Sequence, residues 1–117
     1  MRDAEEIVWA AGSDNFRLGI GELRALEKAC DAGCAVVLAR LLSTAWKIDD
    51  VYQPIRLGLI GAGASERDAT KTLERALTLT SPYALAVTAA DVLRRFIMWS
   101  EEDAPGETEA GIVAESN

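Results

Sequence analysis

The sequence predicts a mainly α fold, with an N-terminal β-hairpin leading into a compact bundle of about five short helices. Three observations carry that prediction. Half of the 117 residues are apolar, enough for one modest core. A short stretch of period-two alternation near the N-terminus gives way, around Gly21, to apolar spacings of three and four. Glycine, serine–proline and aspartate signals then cut the helical part into pieces of about three to four turns.

The hairpin is expected from residues 6–10, EIVWA, and 15–20, NFRLGI, on either side of the turn-forming Gly12-Ser13-Asp14. On that reading Phe16, Leu18 and Ile20 share one face and Arg17 and Gly19 the other. A lone hairpin is marginal in water, so this one is expected to lie on helices. The first helix begins near Gly21, buries Leu23, Leu26 and Cys30, and is expected to end in a left-handed turn at Gly33. The second carries Cys34, Val37, Leu38, Leu41 and Ala45 on one side. Asp49 is the expected cap of the third helix, with Pro54 near its start, Val51, Ile55, Leu59 and Ala62 inward, and Gly61 and Gly63 as stops.

The fourth helix opens on Ser65-Glu66-Arg67-Asp68 and buries Ala69, Leu73, Ala76 and Leu77. The fifth has the clearest signals. Ser81 caps it, Pro82 takes its first position, Leu85, Ala89, Val92, Leu93, Phe96 and Ile97 form its stripe, and Arg94 and Arg95 complement its C-terminal dipole. It is expected at the centre of the core. Residues 1–100 are thus read as one domain and 101–117 as a disordered acidic tail, since that tail has six acids, no base and few large apolar groups.

The net charge of −7 is mostly that tail. All 12 basic residues lie in the first hundred, against 13 acids, so the body is nearly neutral and offers no field for nucleic-acid phosphates. A small helical DNA-binding regulator is accordingly the weakest reading, its nearest basic face being Arg94-Arg95. No apolar run approaches the roughly 20 residues that span a bilayer, and Asp3, Glu5 and Glu6 stand where a signal peptide is basic, so no membrane association and a cytoplasmic location are expected.

Catalytic and metal chemistry find little support. Histidine is absent, and Cys30 and Cys34 alone cannot complete a four-ligand zinc site, so both are read as reduced structural thiols. The glycines of 58–63, GLIGAG, match neither the dinucleotide fingerprint nor the phosphate loop and are read as packing and stop positions. Asp49-Asp50 is read as a cap with a first-turn acid rather than a carboxylate pair. The expectation is a non-enzyme with no cofactor and no metal site. Aromatic residues at element ends (Trp9, Trp46, Tyr52 and Trp99) are candidates for partly exposed contact surface.

Two segments, 16–33 (FRLGIGELRALEKACDAG) and 46–63 (WKIDDVYQPIRLGLIGAG), fill 36 of the 117 positions. They resemble a small family found in the tail gene block of gene transfer agents and siphophage-like prophages, described as tail assembly chaperones or, in an older label, as tail tube proteins. The resemblance rests on Arg17-Leu18-Gly19, the GELRxLE-type stretch 21–27, Asp49-Asp50 and the Gly-Leu-Ile-Gly stretch 58–61. It implies a factor acting in tail morphogenesis that binds the helical tape-measure protein and helps recruit tail tube subunits. Self-association stays open, and a structural minor tail component is the alternative. The tube label suits the sequence poorly, because tube subunits of that kind are β-sandwiches and this chain offers one hairpin. A tape-measure chaperone needs an apolar groove for a helix; Trp46, Ile48 and Tyr52, clustered at the turn before the third helix, are its expected rim.

Overall fold

The computed structural model describes residues 2–99. The expected acidic tail, 101–117, and the domain boundary before it lie outside the described residues. Strands β1 (Glu5–Trp9) and β2 (Gly12–Phe16) form an antiparallel hairpin, followed by α1 (Ile20–Cys30), α2 (Cys34–Leu42), α3 (Ile48–Gly61), α4 (Glu66–Leu79) and α5 (Pro82–Ile97). The expected fold class is what forms.

The hairpin is tighter than its turn-forming residues suggested. Trp9 pairs with Gly12, leaving Ala10-Ala11 as the turn, while Ser13 and Asp14 belong to β2. Gly12 alone supplies the left-handed backbone that lets the chain rejoin the ladder (φ 122°). Asp14 sits in a strand because its Oδ2 accepts from the Trp9 indole N–H at 2.8 Å. That bond leaves the Trp9 ring buried, edge-on to Phe16 at 5.6 Å, so Trp9 is a core residue rather than a contact surface. The second strand stops at Phe16; Phe16 and Leu18 are fully buried, but Ile20 opens α1 and is half exposed, correcting its expected inward face.

Residues 17–19 cross the last turn of α3. The Arg17 N–H donates to the Gly58 carbonyl at 2.9 Å. A Cβ on Gly61 would stand 1.9 Å from the Arg17 carbonyl oxygen, and one on Gly58 would stand 2.9 Å from the Phe16 ring. The glycines at 58 and 61 are therefore close-approach positions, and they are what allows the hairpin to rest on the helix. Helix α1 starts at this joint, with Glu22 Oε1 accepting from the Gly19 N–H at 2.9 Å.

Two helix ends differ from expectation. The left-handed residue after α1 is Asp31 (φ 53°); Gly33 is extended and caps α2. Helix α2 ends at Leu42, so Ala45 falls in the following loop and is exposed. The acid at the head of α3 is Asp50 rather than Asp49: its Oδ2 accepts from the Lys47 N–H at 2.8 Å, and its side chain is completely buried. Pro54 lies in the second turn of α3, where its missing N–H removes one intrahelical bond. Ser65 and Ser81 cap α4 and α5 as expected, accepting from Asp68 N and Ala84 N.

The core is one cluster, with Phe16, Leu18, Leu26, Ile55, Leu85, Leu93 and Phe96 among its largest buried members. Helix α5 contributes the expected Leu85, Ala89, Val92, Leu93 and Phe96. Its companion at the centre is α3, which packs against all four other helices and against β2.

Candidate docking groove

Helix α5 carries two apolar stripes. The first faces the core. The second, Tyr83, Ala86, Val87 and Ala90, has the i, i+3, i+4, i+7 spacing of a helix face and continues to Arg94. Across from it stand Leu41 and Leu42 at the end of α2, and Thr44 and Trp46 in the loop to α3. Between the two sides lies an apolar groove of about 400 Å³. Its floor is the nearly buried Leu41, Ala86 and Ala90; its walls are exposed, Leu42 by 68%, Val87 by 70% and Tyr83 by 61%. Large apolar side chains held this far into water, in one contiguous place, mark a contact surface more often than chance decoration.

The loop that forms one wall is pinned from below. Asp50 Oδ1 accepts from Arg40 Nη2 at 2.8 Å while Oδ2 holds the Lys47 N–H, so one buried carboxylate ties the end of α2 to the start of α3. Arg40 Nη2 also reaches the Cys30 carbonyl, at 3.4 Å, and Lys47 Nζ reaches the same oxygen at 3.0 Å. Both cations thus meet the last carbonyl of α1, where the helix dipole favours them. Within the loop Thr44 adopts a left-handed backbone (φ 62°), unusual for a β-branched residue, and two residues later the Trp46 ring meets Tyr83 edge-on at 5.8 Å.

Of the three residues expected at the rim, Trp46 lines the groove. Ile48 is half exposed at the start of α3 and Tyr52 is partly buried against the core; neither lines the groove. The sequence reading missed Leu42, Tyr83 and Val87. The signal was present: residues 85–87 and 89–90 of α5 are apolar on more than one side, more than a single buried face requires.

The charged end of the groove is also legible in the structure. Asp91 accepts from Arg94 Nη2 at 2.8 Å and from Arg95 Nε at 3.1 Å, and Arg95 Nη1 bonds Glu5 Oε1 at 2.9 Å, which ties β1 to α5. The Arg94 side chain remains 55% exposed.

The thiols lie on separate helices. Cys30 Sγ donates to the Asp49 carbonyl and Cys34 Sγ to the Leu23 carbonyl. Burial, reinforced by Asp50, pushes the Cys30 thiol up to about 12; burial, reinforced by Glu27, pushes Cys34 up to about 11. Among the described residues no group of three or more His, Cys, Asp or Glu is placed to hold a metal ion, and no helix is long and apolar enough to cross a membrane.

Residues 2–99 match the family model described as phage tail tube protein, GTA-gp10. The chain belongs to that family. The match takes in the hairpin and all five helices, well beyond the two segments that first suggested it, and gives the chain a structural or assembly role in phage-type tails. Comparison with curated proteins and with solved structures gave no match.

Proposed function

We propose that this chain is a non-enzymatic tail assembly chaperone. In the cytoplasm of the bacterial host it holds the tape-measure protein through the α2–α5 groove and helps bring tube subunits to it. The observation that carries the reading is the groove itself, an apolar trough about three helical turns long that gathers the exposed Leu42, Tyr83 and Val87 over a nearly buried floor. A long helical partner exposes apolar stripes before assembly, and a trough of this kind covers one through anchors at i, i+3, i+4 and i+7.

The family description favours a second reading, a component of the tail itself. A β-sandwich wall is a poor fit to a body whose described residues hold one two-stranded sheet, so a minor, non-tube position is the form this reading takes. Co-expression with the cognate tape-measure protein separates the two. The chaperone reading expects the partner to become soluble and to co-purify with this chain, and expects the chain to be missing from finished particles. Retention in particles at fixed stoichiometry, without any effect on tape-measure solubility, would replace it with the structural reading.

A further inference from the structure

The groove runs along α5 and ends beside Arg94, about one turn before the helix stops at Ile97. The chain therefore leaves α5 at the groove's own mouth. Eighteen residues of sequence follow Trp99, outside the described residues, and Ile112 and Val113 are the only large apolar side chains among them. Ile112 is fifteen residues beyond Ile97. Between the two stands Pro105-Gly106, a turn-forming pair that can send the chain back along the helix it has just left.

We infer that the chain's own residues 110–114, AGIVA, occupy the α2–α5 groove when no partner is bound, with Ile112 and Val113 over Ala86 and Ala90 and between the walls of Leu42 and Val87. The length fits this return. Val87 lies ten residues back from Ile97, about 15 Å at 1.5 Å per residue, and a flexible chain of fifteen residues has a root-mean-square span of about 20 Å. Effective concentration is highest where linker and span match, and for a short flexible linker it is of millimolar order. Two apolar anchors, too few to hold a free peptide at ordinary concentrations, are then enough to fill the groove for much of the time. A second copy has no such advantage, because it meets the groove only at its bulk concentration. Charge plays no part in the choice, since Asp91 and Arg94 pair with each other at that end. The inference deepens the chaperone reading and rests on it for the partner that displaces the tail: a covered groove keeps Leu42, Tyr83 and Val87 from other apolar surfaces until the tape-measure protein arrives.

The test compares amide chemical shifts of three proteins: the full chain, a chain ending at Asp103, and the full chain with Ile112→Asp and Val113→Asp. The first two are expected to differ at 41–46 and 83–90, away from the cut, and the double variant should reproduce the truncated chain at those positions. The differences should be independent of protein concentration. A synthetic peptide of residues 105–117, added to the truncated chain at millimolar concentration, should restore them. Groove shifts that are the same with and without the tail, or that survive Ile112→Asp with Val113→Asp, would overturn the inference. So would differences confined to the residues next to the cut, shifts that grow with protein concentration as a second copy would cause, or a peptide that leaves the truncated chain unchanged. The partner is tested separately by co-expression. A tail seated as described, in a chain that leaves the tape-measure protein insoluble, loses the chaperone reading and keeps this one; a groove indifferent to the tail, in a chain that keeps the partner soluble, does the reverse.

Discussion

Two regions of this molecule divide its recognisability from its usefulness. The joint where residues 17–19 cross α3 at Gly58 and Gly61 holds much of the stretch on which the sequence resemblance rested, and it is closed: Phe16, Leu18 and Gly58 are buried, and the contact runs backbone to backbone. The α2–α5 groove is open, and little of it lies in the two recognised segments; Leu41, Leu42, Thr44 and the α5 residues fall outside both. A glycine held by a neighbouring carbonyl tolerates no side chain, whereas a groove wall needs only to be apolar and of about the right size. Sequence motifs therefore report the joint more readily than the groove.

The largest expected break comes at the joint. Gly61→Ala puts a methyl against the Arg17 carbonyl, where both partners are backbone, and should cost about 3 kcal/mol or more or prevent folding. Gly58→Ala meets the Phe16 ring and Val92, which can shift, and should cost roughly 1–3 kcal/mol. Denaturant midpoints read both; equal, small effects would mean that the crossing is looser than drawn. Arg40→Ala, which strands the buried Asp50 carboxylate, should cost about 2–3 kcal/mol, toward or below the lower end for broken buried pairs because the arginine is a quarter exposed. The same change should loosen the 43–47 loop and weaken groove binding, linking the closed and open regions.

The thiols give a smaller effect with a definite sign. Both folded values, about 12 for Cys30 and about 11 for Cys34, lie above the ordinary 9.0. Below pH 9 both states are protonated and nothing changes. From about pH 9 upward the unfolded chain ionises first, so stability should fall progressively toward pH 11–12. Cys30→Ser with Cys34→Ala should flatten that limb of a pH-stability profile, and alkylation at pH 8 should be slow until the chain is unfolded. A native-state rate matching that of the denatured chain would contradict the burial. Smallest is Thr44→Gly, which relieves the positive φ at some entropic cost; stability should change by less than about 1 kcal/mol. A large loss there would show that the threonine side chain holds the loop.

Helices four and five were legible because Ser65, Ser81 and Pro82 give local chemistry that tertiary packing had no reason to override. The hairpin's existence was legible, but its turn was misplaced: Gly12-Ser13-Asp14 has turn composition, and the cross-strand pairing of Asp14 with the Trp9 indole puts it in a strand. The same limit applies to Asp49 and Asp50, which look interchangeable until Arg40, ten residues back, selects one of them. In the candidate groove, Trp46 was anticipated because aromatics at element ends suggest contact surfaces. Val87 and Leu42 were missed because each is an ordinary apolar residue on its own helix, and only the packing of α2 beside α5 makes them neighbours.

On the proposed reading the open groove, rather than the 17–19 joint or the turn before α3, is the partner surface. Leu42→Asp with Val87→Asp changes two exposed positions and should leave the melting temperature nearly unchanged. Co-expressed with the tape-measure protein, that variant is predicted to lose the partner to the insoluble fraction, while Ile48→Ala with Tyr52→Ala retains it. A groove variant that is folded and still brings down as much soluble tape-measure protein as wild type would contradict the account.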